Sequence, residues 1–310
     1  MCDLSQMNAT SIDNRLHQHP LGFWEIISKP DTKTLDAYYA KKYYQEAKGS
    51  YELEYTEEEL NYFRAKLNQR FSVIERSLPA KRIAGGGTML DVGCGEGFAL
   101  AFFREKGWAV KGFDFSSAGI ISKNPSCSDV LVTGDVFGLL QAEISAGCRY
   151  DIVWLQNVLE HVIDPLSLLA LLRSLVSPAG MMVVTVPNEF SIVQLGAIMH
   201  RHIDQAFWVA PPDHLNYFDY ASLMNVSHAT GWECIEILGD FPVDWFLFHP
   251  GSNYIQNKTA GKFAHRARVQ LENIINDRPI EDVLSYWSAA AKLGIGRDFT
   301  AFLKPGISAK

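Results

Sequence analysis

The chain has no C-x-x-C pair, no run of lysine and arginine, no apolar stretch long enough to cross a bilayer, and no G-x-G-x-x-G turn. Each absence weighs against a class of protein. Five cysteines, at positions 2, 94, 127, 148 and 234, are odd in number and scattered. That argues against a disulfide framework or a zinc knuckle and suits a reducing compartment. With 28 basic against 35 acidic residues the formal charge is −7, a poor match for the phosphate neutralisation that nucleic-acid binding relies on. "HRAR" and "RVQLENIINDR", between 265 and 278, are mixed in sign and read as a solvated helix face. "PLSLLALLRSLV" is broken by Arg173 and too short for a membrane span, and the first twenty residues lack the apolar core of a secretory signal. A cytoplasmic protein without nucleic-acid or membrane partners is expected.

What is present is enough for a sizeable core: 310 residues, 47% hydrophobic and 20% charged. Residues 1–84 carry helical spacing in "TLDAYYAKKYYQEAKG" and again at Leu60, Phe63, Leu67, Phe71 and Ile74. Thr56 and Glu59 spell a capping box for the second of these helices. "AGGG" at 84–87 reads as a flexible joint. Beyond it, short apolar runs alternate with helical ones: "TMLDV", "AVKGFDF", "DVLVTGD", "YDIVWLQNV", "GMMVVTVPN", "WECIEILG" and finally "DFTAFLKP". This is the pattern of an α/β, doubly wound, mostly parallel sheet. Three parts are expected: an N-terminal helical segment at 1–84, a cofactor-binding core at 85–238 plus 291–310, and a helical insertion at 239–290.

In such a sheet the ligand lies at the carboxyl ends of the strands. "DVGCGEG" occupies that place, with Asp91 two residues ahead of the first glycine and Asp114 closing the next strand. A carboxylate at Asp114 suits a ribose diol, because both hydroxyls can donate to it. Glycines at 93, 95 and 97 differ from the dinucleotide fingerprint, which disfavours an NAD-linked oxidoreductase. An acid at Asp91 would repel a pyrophosphate, yet it accepts hydrogen bonds from an ammonium. A nucleoside bearing an amino acid meets both demands.

"LDVGCGEG", "GFDFS", "GD" at 134–135 and "YDIVWLQNVLEHVIDP" together resemble the class I S-adenosylmethionine-dependent methyltransferases, in particular the small-molecule and sugar O- and C-methyltransferases with an "LEHV-x-DP" motif. The resemblance covers roughly 86–238 and the last strand and implies a Rossmann-like, seven-stranded sheet. It implies that Asp91, Gly93, Cys94, Gly95 and Gly97 hold the methionine part of S-adenosyl-L-methionine, and that Asp114 holds the ribose. Asp135, with Val136 beside it, would reach the adenine amino group, and Phe115 would flank the ring. Gln156 and Asn157 would line the methionine and the transferred methyl, with S-adenosyl-L-homocysteine as product. A plainer reading makes Asp135 a turn residue.

Methyl transfer from a sulfonium is an in-line displacement that positioning largely supplies, and an alcohol acceptor gains from a base. His214 in "PPDHLNYF" and His161 in "LEHV" are the candidates. Alternatively His161 bonds the backbone at a helix start and His214 caps "YASLMNV". Metal-using relatives carry E-x-x-E-H, whereas here Asn157 stands where the first carboxylate would be. No metal is expected. "HQH" at 17–19 and "HRH" at 200–202 lack a third ligand. The expected acceptor is a small metabolite, sugar or nucleotide-sugar, methylated at oxygen. A C-methyltransferase acting on a sugar or quinone-like acceptor and a non-catalytic cofactor-binding partner protein stand beside that reading. Tyr38, Tyr39, Tyr43, Tyr44, Trp245, Phe246, Phe248, Tyr254 and Trp287 either line an acceptor pocket or glue the added helices to the core. "FPVDWFLFHPGSNY" is the candidate lid.

Overall fold

The computed structural model of the protein describes residues 12–31, 33–35, 38 and 54–306. A hairpin of two short strands, β1 (Leu16–Gln18) and β2 (Trp24–Ile26), precedes helices α1 (Glu57–Ser77) and α2 (Ala80–Ala84). The core follows as β3 (Thr88–Val92), α3 (Phe98–Glu105), β4 (Ala109–Asp114), α4 (Ala118–Lys123), β5 (Leu131–Thr133), α5 (Val136–Ser145), β6 (Tyr150–Gln156), α6 (Pro165–Arg173) and β7 (Val176–Pro187). Then come α7 (Ile192–Met199), β8 (Asn216–Tyr217), α8 (Tyr220–Ala229), β9 (Trp232–Leu238), α9 (Ala260–Asn276), α10 (Ile280–Lys292) and β10 (Asp298–Pro305).

Seven strands form one sheet in the order β5-β4-β3-β6-β7-β10-β9. Pairings from β5 across to β7 are parallel, and β10 runs antiparallel to both its neighbours. This is the doubly wound, mostly parallel arrangement expected. Strand order reverses between β3 and β6, which opens a crevice at their carboxyl ends. Both faces are covered, so the central strands are mostly apolar: Leu168, Leu169 and Val226 pack on one face, and Phe71, Phe103 and Trp287 on the other. Local signals set the helix starts. Thr56 and Glu59 form the capping box on α1, and Asp164 and Asp219 cap α6 and α8.

Three features depart from the sequence reading. The hairpin β1–β2 was not foreseen; β2 pairs with β8 in a second, three-stranded sheet. The "AGGG" joint is packed, not loose. A Cβ on Gly87 would lie 2.5 Å from the indole of Trp108, which is itself buried against Phe71 and Phe103. The "HRAR…NDR" stretch is α9, and its charges are not all solvated: Arg268 is half-buried and Glu272 is 1% exposed. Of the aromatics, Trp287 is buried, Tyr38 packs near Leu35 and Leu215, and Trp245 is exposed. Tyr39, Tyr43 and Tyr44 lie outside the described residues. Among the described residues no helix is long and apolar enough to cross a membrane.

One carboxylate ties three separate parts together. Asp240, just after β9, accepts the backbone N–H groups of Arg297 (2.7 Å) and Asp298 (2.8 Å) at the start of β10. Its other oxygen accepts from Lys66 Nζ of α1 at 2.7 Å. Burial alone would raise the acid, but Lys66 and the backbone donors hold it below the ordinary carboxylate range. Asp240→Ala strands a buried ammonium and is expected to cost about 3–5 kcal/mol in urea unfolding. Adding Lys66→Met should recover part of that loss; strictly additive losses would mean the pair is not coupled.

Candidate active site

The turn after β3 is held open by its own backbone. Gly93 and Gly95 take φ values of +73° and +52°, in the left-handed region. A Cβ on Gly93 would come within 2.5 Å of Val158, whereas one on Gly95 would meet nothing within 4 Å. The first glycine is therefore demanded by packing, and the second borders open space. Tyr55, ahead of α1, donates to Glu96 in the same turn at 2.9 Å.

Two acids flank the turn. Asp114 accepts the N–H of Gly95 at 2.8 Å and of Ser116 at 3.0 Å. Burial still holds it above its usual value. Asp91 is 3% exposed, and among the described residues no hydrogen bond reaches its carboxyl. Burial, with Asp114 nearby, pushes it up to about 8. A buried carboxylate in this condition is stabilised by a cation.

The remaining predicted residues differ in what they offer. Cys94 turns its thiol into the core against Gly112, so a contact from it would be a backbone one. Asp135 caps α5, accepting from Phe137 N (3.3 Å) and Gly138 N (2.8 Å), while the Val136 side chain is buried. Phe115 is 37% exposed, and so is a residue the sequence reading passed over, Phe137, at 38%. Exposed aromatic rings just past β4 and at the start of α5 make a flank for a planar group. Gln156 receives Arg70 Nη1 on its side-chain oxygen at 2.7 Å. Asn157 has a positive φ of 52°, a cost that clusters at functional sites.

The two histidines meet. His161 and His214 lie edge to face, ring centroids 5.0 Å apart. His161 Nδ1 is 2.7 Å from the Asp213 carbonyl, and His214 Nδ1 is 2.9 Å from Glu189 Oε1. His214 does not cap α8, since Asp219 does. Burial would lower the His214 pKa, but Glu189, with Glu160 and Asp213, outweighs it and raises the value. Glu189 sits two residues past β7 at 1% exposure. Its only sequence signal was an acid closely following a strand. Glu160 is equally buried, with both oxygens lacking a hydrogen-bond partner among the described residues, and burial lifts it to about 8. Ligand atoms of Glu160, His161 and His214 all lie within 4.8 Å of one another. The linear spacing did not show this cluster, because His214 joins it from a distant segment.

A family model described as a methyltransferase domain matches residues 58–237, more than half the chain. The protein belongs to the class I S-adenosylmethionine-dependent methyltransferases. It is 32% identical over 127 residues to the ubiquinone biosynthesis O-methyltransferase of Rhodopseudomonas palustris (strain TIE-1), covering 40% of this chain and 50% of that one. The Burkholderia thailandensis protein of the same name is 26% identical over 176 residues, covering 56% and 71%. The chain thus spans about half the length of the first of these relatives. In fold it is similar to a SAM-dependent methyltransferase from Archaeoglobus fulgidus, with a TM-score of 0.50, 18% identity, and coverage of 88% and 100%.

The residues present fit the cofactor of this family. A buried carboxyl at Asp91 without a hydrogen-bond partner among the described residues suits an amino group, and the open side of Gly95 leaves room for a ligand against the backbone. The protonated Asp91 must lose its proton to hold a cation. Affinity for S-adenosylhomocysteine should therefore rise with pH from 6 to 8, by up to roughly tenfold per unit while the acid remains protonated. Calorimetry in buffers of different ionisation heat should detect the released proton, and Asp91→Asn should flatten the profile. A flat wild-type profile would remove Asp91 from the site.

Proposed function

We propose that the protein methylates a hydroxyl oxygen of a small molecule, with His214 as general base and Glu189 as the residue that positions it. The observation that carries this reading is the 2.9 Å contact between His214 Nδ1 and the buried Glu189 carboxylate. With Nδ1 turned to an acid, the neutral ring keeps its lone pair on Nε2, where it can take a proton. The names of the matched relatives, which specify O-methyltransferases, support oxygen over carbon.

The bound cofactor supplies a methyl group on a sulfonium and leaves as S-adenosylhomocysteine. The chain's own residues do the rest. Asp91 and the backbone of Gly93, Cys94, Gly95 and Gly97 hold the amino-acid end. Asp114 accepts from the ribose hydroxyls, its two oxygens already oriented by Gly95 and Ser116. Phe115 and Phe137 flank the base, whose amino group lies toward Asp135 and Val136. Gln156, fixed by Arg70, and Asn157 border the reacting centre. We assign this binding to residues 85–238 with 291–310, and the acceptor wall to 239–290. The four described cysteines are free thiols, which supports a cytoplasmic setting.

A second reading is favoured by the Glu160, His161 and His214 cluster. A divalent ion there would bind the acceptor oxygen and lower its pKa. Both Nδ1 atoms already face oxygen, the outer arrangement common around metal-ligating histidines.

The test is transfer of labelled methyl to a panel of hydroxyl-bearing small molecules. His214→Ala is expected to lower turnover by about 10²–10⁴-fold. Glu189→Gln should lower it less and move the acidic limb of the pH profile downward, because the carboxylate that raises His214 is gone. Unchanged turnover in His214→Ala would sink the base. Loss of activity on chelation, restored by Mg²⁺, Mn²⁺ or Zn²⁺, would select the second reading.

A further inference from the structure

Beyond β7, the carboxyl edge of the sheet borders a cavity of about 220 Å³, lined by Phe207, Val243, Tyr254, His265, Arg268 and Arg297 among others. All of these six except Phe207 lie outside the 58–237 span that the methyltransferase family shares. Most of the lining therefore lies outside the span that the family model matches.

Its two arginines are underused. A guanidinium offers five N–H donors, yet among the described residues the pair make one side-chain hydrogen bond, Arg268 Nη2 to His265 Nδ1 at 3.1 Å. Arg268 Nε and Arg297 Nη1 are buried with no acceptor among the described residues. The acid nearest Arg297 is Asp244, whose Oδ2 stands 4.0 Å from Nη1, beyond hydrogen-bond reach. Asp244 already spends its oxygens on the Tyr254 hydroxyl and on Gln194 Nε2. Two other acids nearby, Glu272 and Asp298, are raised by burial, Glu272 to about 7, while Asp240, whose charge also acts on Arg268, is held below its ordinary value and is already engaged by Lys66 and two backbone N–H groups. Buried guanidinium donors without acceptors are costly, and a ligand carboxylate or phosphate relieves that cost with charge-assisted bonds.

The cavity also lies where an acceptor has to come. Arg297 is pinned next to the end of β7: its carbonyl accepts from Asn188 N at 2.8 Å, and its N–H reaches Asp240. Asn188 Nδ2 holds the preceding turn through the carbonyls of Gly294 (3.0 Å) and Gly296 (2.9 Å). Glu189, the residue that orients His214, follows Asn188 directly and is close enough for its charge to act on Arg297. Phe207 and Tyr254 add aromatic walls, their rings 6.2 Å apart and nearly perpendicular.

We propose that this cavity is the acceptor pocket and that Arg268 and Arg297 grip a carboxylate or phosphate on the acceptor, so that the methylated hydroxyl belongs to a small anionic, ring-bearing molecule. This rests on the methyl-transfer reading above and narrows it to a substrate class.

The test titrates the full chain, saturated with S-adenosylhomocysteine, with three ring-bearing probes: benzoate, phenyl phosphate and the neutral benzamide. At least one anion should bind tenfold or more tighter than benzamide. Arg268→Gln and Arg297→Gln should each erase that preference while leaving S-adenosylhomocysteine affinity unchanged. Arg297→Lys, which keeps the charge and loses the fork, should retain part of it. Preference for benzoate identifies a carboxylate acceptor, and preference for phenyl phosphate a phosphorylated one. Equal binding of benzamide, binding of none of the probes, or an anion preference that survives both Gln variants would overturn the proposal. Retained S-adenosylhomocysteine binding in the variants separates that outcome from misfolding. Failure of the wild type to bind S-adenosylhomocysteine would instead overturn the methyl-transfer reading.

Discussion

The structure at the carboxyl edge depends on Asp240. Sheets of this kind leave their strand ends open, and something must roof them before a small molecule can be enclosed. Here the roof comes from segments distant in sequence, α1 near the beginning and α9 near the end; a carboxylate at 5% exposure ties α1 to the sheet, and Glu272 of α9 accepts the N–H of Phe241 just past β9. Hydrophobic contact alone lets helices slide along their ridges. A buried ion pair with two backbone N–H donors on the same acid has one satisfied geometry, and each lost bond exposes a desolvation penalty. Arg297 is thereby delivered to the cavity and α1 to the Gly turn. The start of α1 is fixed again at the far end by Tyr55 on Glu96, while α9 is bound to it by Asn273 on the Glu58 carbonyl and His265 on Glu59.

The edge carries two kinds of buried charge, divided by origin. The shared core contributes acids: Asp91, Asp114 and Glu160, with Glu189 just beyond β7. The insertion contributes the underused cation Arg268, and the turn ahead of β10 contributes Arg297. Buried charge is tolerated where a partner arrives, and the two sets ask for partners of opposite sign. A cationic amino-acid end suits the first and an acidic acceptor suits the second. One continuous edge can therefore sort two ligands by charge before shape is tested.

How far this was legible in the sequence follows from the range of each interaction. Strand, turn and helix signals are local, so the doubly wound core, the Gly turn and the acids at the tips of β3 and β4 could be read from the chain, as could the Thr56–Glu59 capping box. The hairpin β1–β2 could not, because three-residue strands carry no measurable period and their partner β8 lies near residue 216. Gly86 and Gly87 looked like flexibility because what demands them, the Gly107 carbonyl and the Trp108 ring, is some twenty residues on. Arg268 was misjudged for a physical reason: mixed charge on a helix normally marks the solvent face, and here buried acids draw part of it inward. His161 and His214 were each visible, but their meeting, and the Glu189 that turns His214, required the fold.

Glu160 shows why the histidine cluster works as a unit. Its carboxyl has no hydrogen-bond partner among the described residues and is lifted to about 8 by burial, so near neutrality it carries a proton. A protonated Glu160 withholds the charge that, ionised, helps raise His214, leaving Glu189, with Asp213, to do so. Ionising Glu160 would add a second negative charge next to the ring and make His214 harder to deprotonate, weakening it as a resting base acceptor at that pH. A divalent ion would reverse the preference, since a metal ligand must give up its proton. The same three side chains thus support a base in one protonation state and a metal ligand set in the other, and the proton on Glu160 decides between them.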